Sequence, residues 1–596
     1  MEKIKSNNNK NTKKKLKKKI LIISNLKKKN SLPHSSVIYL NEGCLPFSLI
    51  ENNFCRKLLP NYPHLKKDKI QKNYFYLLGV YDFFLKTVSC KLNKIHNVNY
   101  SKKYWRVVIG FWLFEFISII FDNWKRLKYI STNYNLKYVE VAKFKSLKLF
   151  FKNHNDFSDK STNDIFNNVI YEDLLKLFKN IKVKYFYDDK KYFNNNVSYK
   201  SVFGILAINI KKIFIFFNNF LKRNNNSVIH NPYFSKKISF LLQIKLKQIP
   251  NFYKSPNINI GLLNNKIRSE TINHSKDPFS KVVSKLLFKY MPLSYLENYP
   301  RYLKEAKNIN WPQKPKFIFS SNSFFIDDFF KIWLAEKKEK FKTKFISGQH
   351  GGLFFTSKFD FYQKHQAEVS DLILTWGYNK KKYKSVFNFK TIGKKIKFKK
   401  DGNLLFIHYA FSKFSSLHSI YTGFSYSEYL KDQFNFIKRL DSRVRDCLVY
   451  RKYPYDFAWN NDLKSSLKNN IKLDLIEDKN KNLYDSLSKS RICFVNLNST
   501  VYLETLNLNF PTILFFNNRN MPINQKTKKY FDILKKAGIY FDDYEMAAKK
   551  INQIWDNVDN WWYNKSVQKA VNIFCDKFSK RSLKNPIKKL YNSLSN

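Results

Sequence analysis

Phe345-Ile-Ser-Gly-Gln-His-Gly-Gly352 holds three of the chain's thirteen glycines within five residues. Its apolar front reads as a buried strand, and its glycines read as a loop where backbone bends tightly or approaches a ligand closely. His350 stands in that loop, at the strand's carboxyl end, which makes it a candidate for proton transfer. A fourth glycine closes Leu372-Ile-Leu-Thr-Trp-Gly377 shortly afterwards. Outward from this point the same pattern recurs. Phe317–Ser320, Leu404–Ile407, Cys447–Tyr450, Ile492–Val495 and Thr512–Phe516 are short apolar runs separated by stretches of helical spacing. Strands apolar on both faces and alternating with helices indicate parallel sheets in an α/β protein.

The polar run Lys394–Gly402 divides this series in two. The expected fold is therefore α/β, with two Rossmann-like domains over residues 36–396 and 397–596. Ligands of such sheets bind beyond the carboxyl ends of the strands, so the two domains are expected to face a cleft. Tyr74, Leu77, Leu78, Tyr81, Phe84 and Leu85 recur at helical spacing and predict a helical insertion in the N-terminal half. Residues 1–35 read as a disordered basic arm, with twelve lysines in the first thirty positions.

Composition narrows the function classes. The chain has 596 residues, a net charge of +64 and 18% aromatics. Lysine and asparagine are abundant throughout while glycine is scarce, the signature of AT-rich coding, and the lysines are spread evenly. A nucleic-acid binder instead gathers basic and aromatic residues on one face, so no specific nucleic acid is expected, whereas an anionic membrane surface remains a candidate partner. Six cysteines lack any CxxC pair, so neither a zinc site nor a disulfide framework is indicated, and a cytoplasmic setting fits. Val107–Phe121 is apolar but short and contains Glu115, which favours a buried helix over a membrane span. No P-loop, Gly-x-Gly-x-x-Gly, His-Glu-x-x-His or Asp-x-Asp occurs.

Three further segments follow predicted strands. Asn498-Ser-Thr-Val-Tyr-Leu-Glu504 predicts a helix starting near Ser499, with Ser499, Thr500 and free N–H groups suited to a phosphate. Glu504 lies one and a half turns on, placed for ribose hydroxyls. In Tyr450-Arg-Lys-Tyr-Pro-Tyr-Asp456, Arg451 is a candidate phosphate clamp and Asp456 a candidate loop support. Glu42, in Asn41-Glu-Gly-Cys44, is a candidate acceptor-side carboxylate or turn residue, and Gln349, Gly351 and Gly352 are read as support for the His350 loop.

These segments together resemble a family of transferases encoded in bacterial surface-antigen and O-antigen polysaccharide loci. The resemblance runs through Tyr39-Leu-Asn-Glu-Gly-Cys-Leu45, Ser101-Lys-Lys-Tyr-Trp-Arg-Val-Val-Ile-Gly-Phe-Trp-Leu113, Gly348-Gln-His-Gly-Gly352, Ser499-Thr500 with Leu503-Glu-Thr-Leu506, and Trp561-Trp562. Asn41 and Gly43 depart from the family pattern, where glycine and tryptophan are expected. The family looks like a relative of GT-B type capsule glycosyltransferases and of teichoic-acid glycerophosphotransferases. The resemblance implies a GT-B-like fold, a nucleotide-sugar donor and a glycan or lipid-linked acceptor. It places His350 on the acceptor side, with Ser499, Thr500 and Glu504 on the donor side. No cofactor or metal is expected, the nucleotide-activated donor being a substrate. A cytidine-linked phosphoglycerol donor is the alternative, and a non-enzymatic nucleic-acid or membrane-surface binder the alternative of another class.

Overall fold

The computed structural model describes residues 18–595, apart from 27–32, 48, 50–54, 145–148, 179, 188–224, 260, 273–276, 415–425, 454–475, 478–480, 518–520 and 583. Its strands form three sheets in which every named pairing is parallel. Helices form most of the crossovers that parallel pairing needs, and the α/β reading holds.

The first sheet has the order β2-β1-β3-β4, with β1 Lys19–Ile22, β2 Val37–Tyr39, β3 Leu136–Lys143 and β4 Val183–Tyr187. Its strand β1 corrects the expectation of a disordered arm over residues 1–35. Leu21 and Ile23 are fully buried, and β1 pairs on both sides, with β2 and with β3. Four apolar residues suffice for an interior strand even between lysines, because a lysine stem lies along the sheet while its head reaches out. Lys19 does this, its ammonium meeting the Ser35 carbonyl.

The helical insertion separates β2 from β3 as two long helices, Lys67–His96 and Lys102–Asn133. Lys102–Asn133 is long and apolar enough to cross a membrane, yet its apolar window is 94% buried within the protein. It packs against Lys67–His96, Asp328–Phe341 and Phe361–Val369. Its two mid-helix acids are satisfied internally: Glu115 bonds His154 Nε2 at 2.8 Å and accepts from the Ser158 hydroxyl, and Asp122 meets His64 Nε2 at 2.9 Å and Arg126 Nε at 2.8 Å. The core-helix reading therefore stands.

The second sheet runs β5-β6-β7-β8-β9, from β5 Val228–His230 through β6 Phe317–Ser320, β7 Lys344–Gly348 and β8 Leu372–Thr375 to β9 Tyr383–Ser385. The N-terminal span thus carries two sheets where the sequence suggested one. The third sheet has the order β12-β11-β10-β13-β14-β15, with β10 Asn403–Ile407, β11 Leu448–Arg451, β12 Ile476–Glu477, β13 Ser490–Val495, β14 Thr512–Phe515 and β15 Tyr540–Phe541. Relabelled from its first strand, that order is 3-2-1-4-5-6, the doubly wound arrangement that opens a ligand crevice where the winding reverses. Here the reversal falls between β10 and β13.

The chain then returns to the second sheet. Lys580 bridges the two, donating to the Trp376 carbonyl and accepting from Asn388 N at 2.9 Å. Gly377 permits this approach: a Cβ there would lie 2.7 Å from the Asp576 and Lys577 backbone. Helix Pro586–Ser595 finally packs on helix Lys236–Lys245. Trp561 and Trp562 stay within the third unit, donating to the carbonyls of Ala537 and Asn509.

Candidate active site

A cavity of about 700 Å³ opens where the carboxyl ends of the second and third sheets meet. The second sheet contributes Tyr233 after β5 and His350, Gly351 and Gly352 after β7. From the third come His408 after β10, Arg451 at the end of β11, and Ser499, Thr500 and Glu504 after β13. Two loops more than a hundred residues apart in sequence, those of His350 and Ser499, thus line one space at the β10/β13 reversal.

The loops also touch. Gly352 N donates to Thr500 Oγ1 at 3.2 Å. A Cβ on Gly352 would fall 2.2 Å from Ser499 O and 2.9 Å from Thr500 N, so no larger residue fits without displacing backbone. Thr356 reinforces the junction, its hydroxyl bonding the Gly352 carbonyl and the Asn498 side chain. Gln349 holds the other end of the loop. Its carbonyl accepts from Trp376 N at 2.9 Å, and its amide donates to Gly351 O at 3.0 Å.

Helix Thr500–Asn507 begins at N-cap Ser499, whose side chain makes no capping bond. The first-turn N–H groups of a helix carry partial positive charge and need acceptors. Ser499, Thr500 and Val501 of this helix start line the cavity, the kind of position where such groups can meet an anion. Glu504 is buried further along, accepting from Tyr484 OH at 2.5 Å and facing Lys390 Nζ at 3.5 Å. A carboxylate has lone pairs beyond these two contacts. Lys394 lies over the Tyr484 ring, 3.1 Å from its centroid, and burial holds its pKa below the usual lysine range.

His350 is packed among aromatic rings, with Phe325 at 5.0 Å and Tyr362 at 5.9 Å between centroids. Burial, and secondarily the Lys390 charge, push its pKa down to about 4. The imidazole is thus neutral at pH 7, the state a general base requires. Its Nδ1 is buried with no hydrogen-bond partner, leaving Nε2 as the nitrogen available to the cavity. Asp360 lines the same wall, its carboxyl pushed up to about 6 by burial, while one oxygen accepts from Gln363 N as a helix cap.

The remaining sequence candidates divide. Arg451 reaches the cavity but is already engaged, donating to the Ser486 hydroxyl and the Lys481 carbonyl. Glu42 is not among the cavity-lining residues. It accepts from Tyr426 N at 2.8 Å and Ser427 Oγ at 2.9 Å, tying the first sheet to helix Tyr426–Lys438 of the third unit. Asp456 lies outside the described residues. Sequence reasoning missed Lys390, Lys394 and His408. His408 Nδ1 is fixed by Tyr450 OH at 2.7 Å, and burial pushes its pKa down to about 3. Its position directly after β10, where the sheet reverses, was the available signal; the lysines gave none in so basic a chain.

Solved structures resemble the chain only loosely. One named for a UDP-N-acetylglucosamine 2-epimerase of Listeria monocytogenes has a TM-score of 0.34 at 9% identity, over 60% of this chain and 99% of that one. The spinosyn rhamnosyltransferase SpnG gives 0.28 at 11% identity, over 50% and 76%. WaaG, a glycosyltransferase involved in lipopolysaccharide biosynthesis, gives 0.25 at 9%, over 77% and 99%. Likenesses of this order carry no argument about chemistry. Comparison with curated proteins returns no match. The family comparison is decisive, since the LIC12162 family transferase matches residues 19–594, nearly the whole length, and the chain belongs to that family.

Proposed function

We propose that this transferase moves a sugar from a nucleotide-activated donor to a surface polysaccharide or other glycan acceptor. The observation that carries the reading is the shared cavity, where a neutral histidine faces an uncapped helix N-terminus across the reversal of a doubly wound sheet. In this reading the donor phosphates sit on the N–H groups of Thr500–Asn507, with the Ser499 and Thr500 hydroxyls beside them. Glu504 takes ribose hydroxyls. His350 Nε2 accepts the proton of an acceptor hydroxyl as its oxygen bonds to the anomeric carbon. The carbon–phosphate oxygen bond breaks, and the nucleotide leaves with the electron pair. Lys390, Lys394 and the helix end offset the charge that develops on it, so the scheme needs no metal ion. Closing of the two sheets' loops over the bound substrates would keep water from competing with the acceptor.

Transfer of phosphoglycerol from a cytidine donor uses the same groups with attack at phosphorus, and the donor decides between the two. The experiment is a calorimetric panel of uridine, cytidine and guanosine nucleotides against wild type and Thr500→Val. One nucleotide at about 100 times its Kd is expected to stabilise the wild type by about 2.7 kcal/mol, and Thr500→Val is expected to weaken it. Absence of binding across the panel defeats the proposal. A cytidine preference moves it to phosphoglycerol transfer.

A further inference from the structure

Residues 190–269 contain fourteen lysines and arginines and no aspartate or glutamate. The chain's last twenty residues, 577–596, contain six basic residues and again no acid. The fold brings the described part of the first stretch to the second, because helix Lys236–Lys245 packs against helix Pro586–Ser595. Lys236, Lys237, Lys245 and Lys247 are exposed on the first helix and its exit, as are Lys584 and Lys588 at the second. Nearby, burial and then the charges of Lys589 and Lys344 hold Lys384 below the usual lysine pKa. In a chain with 45 acids, no counter-charge from either stretch offsets these charges.

The same stretch of chain exposes apolar side chains, two of them, Phe240 and Ile244, on the lysine-bearing helix itself. Of fourteen large apolar side chains exposed among the described residues, five fall between 240 and 262: Phe240, Ile244, Ile249, Phe252 and Leu262. Lys237, Phe240, Ile244 and Lys247 succeed one another at i, i+3, i+7 and i+10, the spacing of one helical stripe. The following segment is held back on the helix by Gln243, whose carbonyl accepts from Asn251 N at 2.9 Å. Apolar side chains rimmed by unopposed lysines match the two layers of an anionic bilayer surface, acyl boundary below and phosphates above. Single-stranded nucleic acid fits less well, because aliphatic Ile244 and Ile249 offer bases no ring to stack on.

We propose that helix Lys236–Lys245, its continuation to Phe252 and the C-terminal helix form a surface that docks on anionic lipid. The helix starts three residues after Tyr233, which lines the cavity. Docking therefore sets the second-sheet side of the cavity near the bilayer, where a lipid-linked acceptor would arrive. The surface itself stands on observations independent of the donor chemistry.

The test is sedimentation of the full chain with vesicles of neutral phosphatidylcholine alone or with 30% phosphatidylglycerol. Binding is expected to anionic vesicles only, weakening with salt. Removing an apolar pair in Phe240→Ser/Ile244→Ser is expected to lower binding at least tenfold. Reversing charge in Lys236→Glu/Lys237→Glu is expected to lower it further, each lysine being worth about fivefold near such a surface. The control Met546→Ser/Ile573→Ser, on exposed positions elsewhere, is expected to bind as wild type. All variants change exposed residues and should keep the wild-type melting temperature. Equal binding to neutral vesicles, or unchanged binding of both patch variants, overturns the proposal. So does a concentration-dependent dimer abolished by Phe240→Ser/Ile244→Ser, which would make the occupant a second copy. Retention on homopolymer RNA with no vesicle binding would make it nucleic acid. None of these outcomes depends on nucleotide binding at Thr500.

Discussion

Replacing Gly352 by alanine tests whether the His350 and Ser499 loops are in contact. The added Cβ would lie 2.2 Å from Ser499 O, 2.6 Å from Ser499 C and 2.9 Å from Thr500 N. All three are backbone atoms at the turn from β13 into a helix, so no flexible side-chain tip can swing aside. Restoring an ordinary contact requires one loop to retreat by about an ångström, enough to break the Gly352 N to Thr500 Oγ1 bond. Overpacking of this kind costs about 1–3 kcal/mol, and the lost bond adds about 1 kcal/mol. Gly351→Ala is the matched comparison. Its Cβ would meet only Thr500 Oγ1, at 3.4 Å, an ordinary contact. Urea unfolding should therefore show Gly352→Ala less stable by about 2–4 kcal/mol, with Gly351→Ala within about 0.5 kcal/mol of wild type. If the molecule relieves the clash by opening rather than unfolding, the loss appears in turnover, since misplacement by about an ångström costs on the order of 10²-fold. A Gly352→Ala protein with wild-type stability and wild-type turnover would refute the contact.

Acid should destabilise the protein early. Burial lowers the pKa of His64, His96, His230, His350, His365 and His408, so each takes up a proton on unfolding once pH falls below its unfolded value. Their contribution is complete above about pH 6.5 and fades toward pH 4, each accounting for up to about 1.4 kcal/mol per pH unit within its window; a melting temperature flat from pH 7 to 4.5 would contradict this. Glu504→Gln should weaken nucleotide binding without lowering the melting temperature by more than a few degrees. Lys390→Ala should weaken it through the phosphates, and calorimetry finding wild-type affinity in both variants would move the donor site away from helix Thr500–Asn507. Deleting residues 1–30 removes β1 from the interior of its sheet and should abolish soluble expression, whereas deleting residues 1–17 should not; a folded 1–30 deletion would overturn the assignment of β1.

The parts legible in the sequence were those where a local pattern and a scarce residue coincide. Glycines are few, so Gly348, Gly351 and Gly352 stood out, and the structure shows what they are for: Gly352 lies against the Ser499 backbone. Ser499 and Thr500 were readable because a strand, a hydroxyl pair and a helix follow in order. The strand β1 was hidden by its setting, since four apolar residues among lysines look like a tail until β2 and β3 are seen to flank them. Glu42 was legible as a residue of the turn Glu42–Cys44 but not as a tie across the fold, since its partners Tyr426 and Ser427 lie 384 and 385 residues away. Lys390 and Lys394 were invisible because the composition makes any lysine unremarkable; only the fold singles out the two beside Glu504 and Tyr484. The surface proposed to dock on lipid had the opposite difficulty. Its signal is missing acids rather than added lysines, and it gains meaning when the two acid-free stretches are found side by side.

The central claim is that His350 is the base of a transfer reaction whose donor sits on the Ser499–Thr500 helix end. It is tested most directly by measuring turnover and nucleotide affinity of His350→Ala side by side with wild type. The account predicts turnover lower by about 10²–10⁴-fold, with nucleotide affinity within about twofold and an unchanged melting temperature. The acid limb of the wild-type pH–rate profile should then lie near 4, where burial places His350, rather than near 6, where it places Asp360. Near-wild-type turnover in a natively folded His350→Ala protein would contradict the account and leave the histidine a packing residue of its loop.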